Sequence, residues 1–179
     1  RTEILSVEHA KTLTSWETVW GEERVIEDRH NGMTVHTANL DVEVRVFDDG
    51  LGFRYIFPEH LGSIDIREEL TEFRFARKDH KIWWMPRSEP YYEAYAEHSS
   101  FDEITEAYTP VTITGADGRF YSIHEAALLD FAKMNLVPDG ASTLKASLTR
   151  LSDGAAVHME KTRTSPWRTL LVCDKAGSL

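Results

Sequence analysis

The chain has one cysteine, Cys173, among 179 residues. No intrachain disulfide can form, and cysteine usage says nothing about redox compartment. Cys173 follows Leu170-Leu171-Val172 and has no local base, so it reads as a buried strand residue and not as a nucleophile. No apolar run reaches the 18 residues of a membrane-spanning helix, which excludes a transmembrane segment. Basic clusters are missing as well. Against 30 acids stand 20 Lys and Arg, a formal net charge of −10, and such a chain cannot displace counterions from nucleic-acid phosphates. Serine-nucleophile elbows, P-loops and dinucleotide fingerprints do not occur, so nucleophilic and nucleotide chemistry have no support. The eight histidines (His9, His30, His36, His60, His80, His98, His124 and His158) form no paired ligand pattern, which speaks against zinc. Calcium takes oxygen ligands from distant segments, and spacing neither supports nor excludes it.

What the chain does contain is a foldable core. Its hydrophobic content is 41% and its aromatic content 11%, which suits one globular domain rich in strands. Val42, Val44 and Val46 alternate with Asp41, Glu43 and Arg45, the pattern of a strand with one buried face. Asp49-Gly50 supplies a turn, and residues 52–57 return as the second arm of a hairpin. A second hairpin is expected from residues 111–114 through Gly115-Ala116-Asp117-Gly118 into 119–123. Further strands are expected over 24–27, 69–76, 144–148 and 169–173. Residues 8–20 carry some helical spacing, although Thr12, Thr14, Thr18 and Val19 lower the propensity. No linker or internal repeat divides the chain. These signals point to an all-β, single-domain antiparallel β-sandwich.

One residue departs from the pattern. Glu125 interrupts the apolar run from Tyr121 to Phe131. In a strand it shares a face with Tyr121, Ile123, Ala127, Leu129 and Phe131, where an ionised carboxylate needs a cation or good hydrogen-bond donors. In a helix over 123–134 it would face solvent. Glu68-Glu69 and Glu72 read as solvated strand-edge acids, as most glutamates are. Trp83-Trp84, Tyr91-Tyr92 and Tyr95 lie close together. They suit either sugar stacking or a core in which one tryptophan is buried and the other caps an edge.

Several blocks together resemble the N-terminal domain of glycoside hydrolase family 97, a bacterial α-glucosidase and α-galactosidase family. They are residues 16–22, 45–55, 69–73, Trp83-Trp84, Tyr121-Ser122-Ile123-His124-Glu125-Ala126-Ala127-Leu128 and Ser165-Pro166-Trp167-Arg168-Thr169. Their order and spread cover nearly the whole chain. The resemblance implies a sandwich of the galactose mutarotase-like (supersandwich) type, spanning residues 1–179, truncated at both ends and inactive alone. It further implies packing on a downstream (β/α)8 barrel that carries the acid and the base or nucleophile. An active-site calcium would be bound by several glutamates, with Glu125 at the position of the sandwich ligand. The substrate would be an α-linked oligosaccharide and the location periplasmic or outer-membrane-associated. His124 reads as structural. Two other readings stand beside this one. A free-standing carbohydrate-binding module would use Trp83, Trp84 and Tyr91 as platforms, and a mutarotase-like epimerase would use His124 and Glu125 as acid and base.

Overall fold

The computed structural model describes residues 3–77, 79–88, 93–160 and 163–179. Tyr91 and Tyr92 lie outside the described residues. The described chain is antiparallel β-structure with only short 3-10 turns. In chain order the strands are β1 (Ile4–Glu17), β2 (Val25–Thr37), β3 (Asp41–Phe47), β4 (Gly50–Ile56), β5 (Ile64–Ile66), β6 (Glu72–Arg74) and β7 (Lys81–Pro86). They continue with β8 (Glu97–Ser99), β9 (Ala107–Thr114), β10 (Phe120–Ala126), β11 (Met134–Pro138), β12 (Thr143–Leu148), β13 (Val157–Met159) and β14 (Trp167–Cys173).

The strand β9 organises the sheet. Along one edge it pairs with β7. Its other edge serves two partners, β10 through residues 111–114 and β11 through Ala107 and Tyr108. From this fork one wing runs β10-β14-β4-β3-β2-β1 and the other β11-β12-β6. The wings close on each other. Ile123 and Leu170 from the first meet Met134, Leu136, Leu144, Ala146, Leu148 and Phe73 from the second in one core. Alternation explains which side chains enter it, as in β12, where Leu144, Ala146 and Leu148 are buried and Lys145 and Ser147 are not. β5 and β13 form a separate two-stranded ribbon. The all-β sandwich is therefore the architecture observed.

Both expected hairpins form. In the first, Asp48 and Asp49 make the turn and Gly50 opens β4. Glycine is needed at 50 for a different reason: a Cβ there would overlap the Leu170 carbonyl oxygen of β14. In the second, Gly118 takes a left-handed φ of 83° that favours glycine. Residues 8–20 are not helical. Residues 4–17 form the long strand β1, which its threonines suit because β-branched side chains lose less freedom there. The strand expected over 69–76 shrinks to Glu72–Arg74, and Glu69 precedes it. The first wing is wider than the second, so β1 lies beyond the covering layer with nearly every side chain exposed, Leu13 and Trp16 included. Among the described residues no helix is long and apolar enough to cross a membrane.

Candidate functional site

β10 and β14 pair antiparallel with Glu125 opposite Arg168. Both point to the core side, because Tyr121 and Ile123 precede Glu125 at two-residue intervals, and Leu170 and Val172 follow Arg168 likewise. The strand stops at Ala126. Ala127 and Asp130 adopt left-handed φ values of 56° and 49°. The 123–134 helix is thus not formed, and Ala127, Leu129 and Phe131 do not continue the face of Glu125.

Arg168 has no exposed surface, and its guanidinium joins two buried carboxylates. Nε and Nη2 donate to Glu69 Oε1 and Oε2 at 2.9 and 2.5 Å, and Nη1 donates to Glu125 Oε2 at 2.7 Å. The Met134 backbone N–H reaches both Glu125 oxygens at 3.2 Å. Glu69 also accepts from the Thr71 hydroxyl at 2.7 Å, and Thr71 lies 2.6 Å from the Tyr55 hydroxyl, which therefore donates to it. Burial first, and then the negative charge of Glu69, hold the Tyr55 phenol above its ordinary pKa against the opposing charge of Arg168. Two carboxylates share one guanidinium, so the ionised triad retains one formal negative charge. A buried arrangement of this kind persists only with well-made hydrogen bonds to every partner. The pairing of Glu125 with Arg168 answers the demand that its position in an apolar strand created.

An open groove of about 600 Å³ runs past Glu69, lined by Tyr55, Phe57, Ile64, Ile66 and Phe131. A second, of about 590 Å³, lies beyond Phe131 against Lys133, Leu151, Val157 and His158. Near it the exposed His158 ring bridges Asp65 at 2.7 Å and Asp153 at 2.8 Å. Hydrogen bonds to Asp65 and then Asp153 raise its pKa above the ordinary histidine value.

The other expected residues are scattered. His124 is exposed on the face of β10 opposite to Glu125, so the two do not form an acid–base pair. Trp84 is buried in the core with its indole N–H donating to Ser99 Oγ at 3.0 Å. Trp83 is half-exposed and stacks on His98, with ring centroids 4.2 Å apart. The split of one core and one surface tryptophan is the one that strand alternation favours. Cys173 is partly buried at the end of β14, and its thiol donates to the Lys175 carbonyl. Glu68 and Glu72 are solvated, but Glu69 is not, because the Arg168 fork draws it inside.

Sequence reasoning missed Arg168, Glu69, Thr71 and Tyr55 as a unit. A usable signal was present: Arg168 occupies an inward position of an apolar strand, the cationic counterpart of the anomaly at Glu125. For a calcium ion the fit is that of one contributor. Among the described residues no group of three or more His, Cys, Asp or Glu side chains converges on a cage. Among the described residues Glu125 Oε1 accepts only the 3.2 Å bond from Met134, and a carboxylate oxygen has room for a second partner.

Residues 1–179 match the family model described as Glycosyl-hydrolase 97 N-terminal. A glycoside hydrolase family 97 enzyme from Pseudoalteromonas sp. strain K8, solved in complex with acarbose, is 34% identical and superposes with a TM-score of 0.91. The match covers 98% of this chain and 28% of that one. A variant of that enzyme, solved in complex with panose, superposes equally well, with the same identity and coverage. A β-arabinopyranosidase shares the fold, with a TM-score of 0.87 at 19% identity over 97% of this chain and 32% of that one. The chain spans less than a third of the length of these enzymes.

Proposed function

This chain belongs to the N-terminal family of glycosyl hydrolase 97, and from that membership we propose that it is the N-terminal domain of a calcium-dependent α-glycoside hydrolase. The parent enzyme is an α-glucosidase or α-galactosidase acting on α-linked oligosaccharides, periplasmic or outer-membrane-associated. The sandwich packs on a downstream (β/α)8 barrel that carries the catalytic acid and its partner, and it lends Glu125 to the active-site calcium. By itself the domain is inactive. Calcium, when bound, supplies charge stabilisation and orientation at the reacting sugar.

The observation that carries this reading is Glu125 itself. It is a carboxylate held at the end of an apolar strand, with one oxygen anchored by Arg168 and the other retaining capacity. The relatives solved with acarbose and panose support an α-linked oligosaccharide as substrate class. The epimerase alternative loses its acid–base pair, because His124 and Glu125 face opposite sides of β10. The binding-module alternative loses Trp84 to the core.

The test is hydrolysis of aryl α-glucoside and aryl α-galactoside by the parent chain extended past Leu179. It compares wild type with Glu125→Gln, each with and without a calcium chelator. Activity lost to chelation and to Glu125→Gln is the expected result. Full activity in Glu125→Gln would leave this domain a support for the barrel and overturn the metal role.

A further inference from the structure

We infer that Arg168, aligned by Glu69, is the positioning residue for Glu125, an inference that rests on the calcium reading above. The Met134 N–H is equidistant from both Glu125 oxygens at 3.2 Å, so it selects no rotation of the carboxyl plane. The bond from Arg168 Nη1 to Oε2, at 2.7 Å, does. Its direction is set in turn, because Nε and Nη2 fork onto Glu69 and the guanidinium is planar. Glu69 is held by the Thr71 hydroxyl, itself anchored by Tyr55. The chain from Tyr55 to Glu125 thus runs through buried groups with little freedom to swing. It leaves Oε1 as the oxygen with spare capacity.

Charge supports the same assignment. Arg168 neutralises one carboxylate, and the triad contains two, so a surplus negative charge stays where a cation would meet it. A lysine at 168 would keep the positive charge and lose the fork. A glutamine at 69 would keep an acceptor for Nε–H and lose the charge that aligns the guanidinium.

The experiment measures calcium dissociation constants of the parent chain by titration calorimetry for wild type, Glu125→Gln, Arg168→Lys and Glu69→Gln. Thermal unfolding of each calcium-free protein is recorded beside them. Residues that orient a metal ligand typically contribute about 10–100-fold in affinity. The expected result is a rise of roughly that size in Kd for Arg168→Lys and Glu69→Gln, with no further rise when either is combined with Glu125→Gln. Unchanged Kd in both variants, with Glu125→Gln weakened, overturns the positioning role and leaves the calcium reading intact; a lowered Tm without a change in Kd has the same meaning. Unchanged Kd in Glu125→Gln overturns the calcium reading itself. Should Arg168→Lys fail to fold, Glu69→Gln decides, since it retains the shape and the acceptor.

Discussion

Replacing Arg168 by Met should be among the most damaging single changes in this domain. The methionine fills much of the stem's volume but leaves Glu69 and Glu125 buried with no cation between them. Three charge-assisted hydrogen bonds disappear together, at 2.9, 2.7 and 2.5 Å. They act as one unit and their costs do not add. Removing one partner of a buried ion pair typically costs about 3–5 kcal/mol, most of it the penalty of the stranded charge. For a domain of this size about 1 kcal/mol corresponds to roughly 2–4 °C in Tm. The expected drop is therefore about 6–20 °C, read by scanning calorimetry at pH 7. The neutral triple variant Glu69→Gln/Glu125→Gln/Arg168→Met should recover at least half of it, because no ionised group is then left unpaired. A loss under about 2 °C in Arg168→Met would refute the reasoning, since it would mean that both carboxylates reach water without cost.

The paired tryptophans should separate sharply: Trp84→Ala costs about 3–5 kcal/mol in chemical denaturation, as large core truncations do, while Trp83→Ala on the half-exposed face stays within about 1 kcal/mol. Equal losses would contradict the observed alternation in β7. Gly50→Ala should destabilise by about 1–3 kcal/mol, because β4 must move away from the Leu170 carbonyl; an unchanged denaturation midpoint would show that the strands separate freely. The His158 ring should titrate by NMR above the ordinary histidine value of about 6.5, held up by Asp65 and then Asp153. Its stabilising contribution is fully present below about 6.5 and is lost as pH rises through the folded value. Asp153→Asn should lower that value, and an unaltered titration would remove Asp153 from the bridge. The domain alone should self-associate with increasing concentration in sedimentation, because Leu13, Trp16 and Val7 leave β1 with exposed apolar surface; Leu13→Lys should shift it toward monomer, and a concentration-independent monomer would show that this surface is inert.

Local alternation carries much of this fold. Val42, Val44 and Val46 announced β3 by their alternation with charged residues, although β3 buries no face fully and Val46 is exposed. Gly118 announced the second turn, because an alternating run and a left-handed turn position are readable within a few residues. The strand β1 was less legible, since its side chains are exposed on both faces and no buried stripe marks it. Glu125 stood out in sequence because a charge in an apolar run demands a partner, and the family resemblance converged on the same residue. Its partner could not be read. Arg168 lies 43 residues from Glu125 and 99 from Glu69; the register of β10 against β14 sets it opposite Glu125, and the closing of the two wings brings Glu69 to its fork. The Arg168 fork moved Glu69 from an expected surface position into the core. By itself, then, the sequence determined the two hairpins, the all-β class, the family and the carboxylate at Glu125 that needed a partner. The tertiary structure decided which charges meet, because sheet pairing and not spacing along the chain sets the distance between buried groups.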